Sequence, residues 1–132
     1  MEIRILGIDY GEKRVGLALS DPSGRLALPL AVLPNSSRLA EQVAGICRER
    51  GVTTVVLGES RDWRGEENPM MKRARAFGAR LAALAGLPLV WESEFMSSAA
   101  AAREGVPPES LDAAAAALIL RSYLERSLKP KT

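Results

Sequence analysis

The sequence contains no histidine. That excludes a Ser-His-Asp triad, a Cys-His dyad, an imidazole general base and any His-containing zinc site. The single cysteine, Cys47, excludes an intramolecular disulfide and a thiolate metal cluster, and suits a reducing compartment. Long apolar runs are also missing: the longest, near 26–33 and 113–120, fall far short of a bilayer span. The opening Met1-Glu2-Ile3-Arg4-Ile5 lacks the basic-then-apolar pattern of an export leader. The expectation is a soluble, cytoplasmic protein with no membrane partner. Any chemistry falls to carboxylates, hydroxyls, lysine or a bound metal.

What is present suits one domain, 1–132. A chain of 132 residues, 47% hydrophobic and 26% charged, can bury one sizeable core. Eighteen basic against sixteen acidic residues leave a mild +2. Fourteen of the eighteen are arginine, which suits bidentate phosphate contacts, although a GC-rich genome gives the same bias.

The segments Ile3–Asp9, Val15–Ser20 and Leu26–Leu33 read as strands joined by short turns, Asp21-Pro22-Ser23-Gly24 among them. Pro29 places the third strand at a sheet edge. Leu39, Val43 and Ile46 recur at helical spacing, and Gly51 ends that helix. Thr53–Leu57 is a buried strand. A helix opens at Asn68-Pro69 with Met70, Ala74, Phe77, Leu81 and Leu84 inward, and Gly86 closes it. Leu87–Trp91 is a fifth strand, followed by a short helix from Ser98 to Glu104. A last helix runs from Ser110 to Arg126 with Leu111, Ala115, Leu118 and Ser122 on one stripe. Crossover helices make the later strands parallel to the first. The expected architecture is α/β: a mixed five-stranded sheet ordered 3-2-1-4-5, strands 1–3 antiparallel, helices on both faces.

In such sheets ligands sit beyond the carboxyl ends of the parallel strands. Those ends carry acids: Asp9, Glu59, Glu92 and Glu94, with Asp112 in the first turn of the last helix. Asp9 follows a nearly wholly apolar strand, where an unpaired charge is costly. Converging carboxylates suit hard divalent cations such as Mg²⁺, which activate water for phosphodiester hydrolysis without histidine.

The segment Leu6-Gly7-Ile8-Asp9-Tyr10-Gly11, followed by Lys13-Arg14-Val15-Gly16-Leu17-Ala18, resembles the opening motif of the YqgF/RuvX family. Gly58, Gly65, Asn68-Pro69 and Arg73–Phe77 resemble its middle motif, and Leu111–Leu124 its C-terminal helix. The resemblance implies a ribonuclease H-like fold and a Mg²⁺- or Mn²⁺-dependent nuclease, either resolving Holliday junctions or processing the 5′ end of pre-16S rRNA. It assigns Asp9 and Asp112 to two of three catalytic acids. The third departs. The family's Asp-Glu-Arg on strand 5 aligns with Glu92-Ser93-Glu94, and its Gly-Leu-Pro with Gly58-Glu59-Ser60. Relocation to Glu59 gives the metal set Asp9, Glu59 and Asp112. Glu92 and Glu94 compete, although strand alternation turns both away from the face of Ser93 unless a bulge intervenes.

Lys13 and Arg14 in the first turn, and Arg61, Arg64, Arg73 and Arg75 around the second helix, are candidate contacts for nucleic acid, whether pre-rRNA or branched DNA. A solvated basic face is the competing explanation. A homodimer is compatible with these features. The alternative function is a catalytically weakened module that binds nucleic acid or a ribosome precursor.

Overall fold

Three apolar segments open the chain as an antiparallel meander: β1 (Ile5–Tyr10), β2 (Arg14–Ser20) and β3 (Ala27–Pro34). The computed structural model describes residues 3–59, 69–93 and 108–128. Helix α1 (Leu39–Arg50) leads to β4 (Thr54–Glu59), α2 (Pro69–Ala85) to β5 (Leu89–Ser93), and α3 (Pro108–Leu128) follows. The sheet order is β3-β2-β1-β4-β5, with β4 parallel to β1 and β5 parallel to β4, as expected. β3 is an edge strand. Its two prolines lack the N–H that an inner strand must donate, and the β2–β3 register slips opposite Leu17 and Ala18, beside Pro29.

Side-chain alternation gives the sheet two unlike faces. Leu6, Ile8, Val15, Leu17, Val55 and Leu57 pack with Val43 of α1 and Phe77 and Leu81 of α2. Ile5, Ala18 and Val56 pack with Ala116, Ile119, Leu120 and Leu124 of α3. Small residues on the second face let α3 lie close: a Cβ on Gly7 would come within 2.8 Å of Leu120 Cβ. Leu120 is wholly buried there, and truncating such a leucine to alanine costs roughly 2–5 kcal/mol. Gly51 closes α1 in the left-handed conformation, φ 67°, with its N–H on the Cys47 carbonyl.

Several boundaries and faces differ from the expectation. β5 starts and ends two residues later, so Glu92 lies within it. On α2 the buried residue of the first turn is Met71 rather than Met70, and Leu84 is exposed. On α3 the buried stripe is Ala113, Ala116, Leu120 and Leu124 with Ile119, while Ser122 is exposed. An almost unbroken alanine run offers little contrast from which to choose a stripe, and closeness to Gly7 decides it. The short helix expected at 98–104 lies outside the described residues.

Candidate active site

Ile5 and Gly7 turn toward α3, and alternation sends Asp9 the same way at the carboxyl end of β1. Its cross-strand partner on β2 is Gly16. A Cβ on Gly16 would lie 2.0 Å from the carbonyl oxygen of Asp112 and 2.4 Å from its carbonyl carbon. The missing side chain therefore seats the start of α3 on β2, beside Asp9. Arg14, two residues before Gly16 on the same face, donates from Nε to Asp112 Oδ2 at 2.6 Å. Burial first, and repulsion from Asp112 second, push the Asp9 carboxyl up to about 6. Two carboxylates thus converge with a guanidinium on the second.

The other acids stand apart from this pair. Glu59 ends β4 on the row of Val55 and Leu57, facing α2, so it points to the opposite side of the sheet from Asp9. There its Oε2 accepts from Arg75 at 3.0 Å, and the Arg75 guanidinium lies 4.7 Å from the Trp91 ring centroid. On this alternation the acids ending β1 and β4 face opposite sides of the sheet. The residue of β4 on the Asp9 side is Gly58, and its β5 partner is Glu92. Glu92 therefore shares the Asp9 face, whereas Ser93 shares that of Glu59, which reverses the expected sidedness of strand 5. Yet Glu92 is buried in other company. Its Oε2 accepts from Ser122 Oγ at 2.9 Å and its Oε1 from the Arg126 guanidinium, both on α3. Glu94 lies outside the described residues. Among the described residues no three acids, histidines or cysteines are grouped so as to hold a metal ion.

The family profile described as "RuvX: Holliday junction resolvase" matches residues 3–126. The chain belongs to the RuvX family. A Chloroflexus aggregans protein named "Putative pre-16S rRNA nuclease" is 37% identical, over 98% of this chain and 98% of that protein. A Ralstonia pickettii protein of the same name is 39% identical, over 95% and 89%. Among solved structures, Thermus thermophilus RuvC in complex with a Holliday junction superposes with a TM-score of 0.64 at 18% identity, covering 96% of each chain. Fowlpox virus resolvase with its junction DNA gives 0.63 at 14%, covering 96% of this chain and all of that one. At those identities the likeness is one of fold, and it is the sheet-and-helix arrangement described above.

Within this RuvX chain the basic candidates have separate fates. Lys13 is exposed in the β1–β2 turn, and Arg14 is tied to Asp112. Arg75 is tied to Glu59, whereas Arg73 is exposed on α2. Arg61 and Arg64 lie outside the described residues. Three positions that matter here were not singled out as site residues from sequence. Gly16 has a signal, because a glycine inside a strand marks close backbone approach. Ser122 and Arg126 have a weaker one, polar residues four apart on a helix, which fits a solvated face equally well.

Proposed function

We propose that this RuvX protein is a divalent-metal-dependent nuclease that hydrolyses phosphodiester bonds in structured nucleic acid in the cytoplasm, with pre-16S rRNA as the first substrate to test and branched DNA as the second. The observation that carries the reading is the convergence of Asp9 and Asp112 at the carboxyl end of the sheet, where burial first and repulsion from Asp112 second raise the proton affinity of Asp9. The donor set fits a hard cation: carboxylate oxygens in a partly buried site, with the guanidinium on Asp112. Asp9 and Asp112 would hold the ion. When bound, Mg²⁺ or Mn²⁺ supplies an activated water and neutralises developing charge on phosphate. Arg14 orients Asp112, and Gly16 lets the start of α3 seat on β2 beside Asp9. The names of the curated relatives and of the family support the substrate class.

The test is a cleavage panel of pre-16S RNA, four-way junction DNA and single strands with Mg²⁺, Mn²⁺ or EDTA. Cleavage of a structured substrate that needs metal is expected, and cleavage undiminished in EDTA overturns the mechanism. A second reading, a binding module with weakened catalysis, is favoured by one observation: among the described residues no third carboxylate joins Asp9 and Asp112. Tight binding without metal-dependent cleavage of any substrate in the panel would select it.

A further inference from the structure

The same end of the sheet carries a second recess, on the α1/α2 side. Tyr10, Asn35, Ser36, Ser37, Arg73 and Arg80 contribute its polar lining. Tyr10 directly follows Asp9 and turns to the opposite face, where its ring packs on Phe77 with centroids 5.1 Å apart. Asn35 donates from Nδ2 to the Gly11 carbonyl at 2.8 Å, which ties the wall of the recess to the turn behind Asp9. The recess and the paired aspartates therefore flank one sheet end.

Its chemistry is one-sided. Among the described residues no acid lines it. Arg80 is held at the rim by Glu41, to which its Nε donates at 3.0 Å. That pairing keeps the Glu41 carboxyl below its ordinary range, so it is occupied as an acceptor. Arg73 makes no hydrogen bond or ion pair with a described residue, and neither the Tyr10 nor the Ser37 hydroxyl has an acceptor among them. The Arg73 guanidinium and several hydroxyl and amide donors thus face a space that no described acid lines, with Arg80 on Glu41 at its rim. Guanidinium forks and hydroxyls are the groups that take phosphate oxygens.

We propose that this recess binds a backbone phosphate of the nucleic-acid strand whose scissile bond lies at Asp9 and Asp112. The inference rests on the nuclease reading and adds to it a path for the strand, over the carboxyl end of the sheet from the α3 face to the α1/α2 face. Because phosphates carry no sequence information, the contact sets register and affinity without base preference.

The experiment is fluorescence anisotropy of labelled pre-16S stem RNA and junction DNA, in EDTA, across a salt series. Arg73→Ala and Arg73→Ala/Arg80→Ala are compared with Arg121→Ala, a charge-matched change on α3. Arg73→Ala should weaken binding about fivefold for every sequence and flatten the log-log salt slope by about one, and the double variant by at least as much. Arg121→Ala should leave both as in the parent. The proposal is overturned if Arg73→Ala matches Arg121→Ala, or if the parent binds neither nucleic acid. It is also overturned if inorganic phosphate or a mononucleotide competes as well per phosphate as the oligonucleotide, since the recess would then be a small-anion site. Cleavage by the parent in the same preparation separates the two readings. A parent that cleaves while Arg73→Ala binds normally removes only the recess, and a parent that binds through Arg73 without cleaving removes only the nuclease.

Discussion

The carbonyl oxygen of Asp112 stands where a side chain on Gly16 would have to be, 2.0 Å from the position of its Cβ. Gly16 is also the cross-strand partner of Asp9. One hydrogen atom in place of a methyl group therefore governs how closely the two acids approach.

Gly16→Ala should push the first turn of α3 off β2 and weaken Mn²⁺ binding, measured by calorimetry, by about tenfold or more, which corresponds to roughly 1.4 kcal/mol. Gly7→Ala is the comparison, because its Cβ would meet Leu120 Cβ at 2.8 Å, farther along the same helix. That variant should lose stability while keeping more of its metal affinity. Parental Mn²⁺ affinity in a folded Gly16→Ala protein would show that the acids need no such spacing.

Asp9 sets a pH dependence of stability. Its folded-state value of about 6 lies above the ordinary 3.8, so the folded chain holds this proton more tightly than the unfolded chain does. The contribution is complete below about pH 4 and is lost as pH rises through 6, a decrease of about 2–3 kcal/mol in metal-free protein. Asp9→Asn should abolish that part of the slope, read from urea titrations at pH 4, 5, 6 and 7. Mn²⁺ affinity of the parent should fall in the reverse sense below pH 6, as protons compete for the site. A variant whose stability follows the parental pH curve would place the burden elsewhere.

Among the acids, Asp9→Asn and Asp112→Asn should reduce cleavage by orders of magnitude with the fold intact. Glu59→Gln should retain most activity, because Glu59 faces α2 and Arg75. Rates measured side by side decide it: a Glu59→Gln variant as inactive as Asp9→Asn would restore the strand-4 acid.

Glu92 is a buried anion that fastens α3 to β5 through Ser122 and Arg126. Removing only the cation strands the charge, whereas removing both partners does not. Arg126→Met should therefore destabilise more than the double variant Glu92→Leu/Arg126→Met, by about 1–3 kcal/mol in denaturant unfolding, since Arg126 is itself largely solvent-exposed. Equal stabilities would reduce the pair to a surface contact.

The sheet order, the parallel pairing and the edge position of β3 were legible because turn residues, prolines and apolar runs are local signals. Asp9 was legible for the same reason, as a charge ending an apolar strand. Sidedness was not. Whether Glu59 or Glu92 shares a face with Asp9 depends on strand boundaries to a single residue, and β5 runs two residues beyond its apolar segment to include Glu92 and Ser93. Nor does sequence separate Arg73 from Arg75: both sit on α2, but among the described residues only Arg75 finds a carboxylate and an indole within reach.

The bond from Arg14 to Asp112 spans 98 residues of sequence. During synthesis β1 and β2 leave the ribosome long before α3 exists, so a nascent chain carries Asp9 without the partner that completes the pair. Cutting ability would then arrive with the last helix, after the rest of the sheet has been made. A chain stopped ahead of Pro108 would be a folding intermediate with no means of attacking the nucleic acid around it.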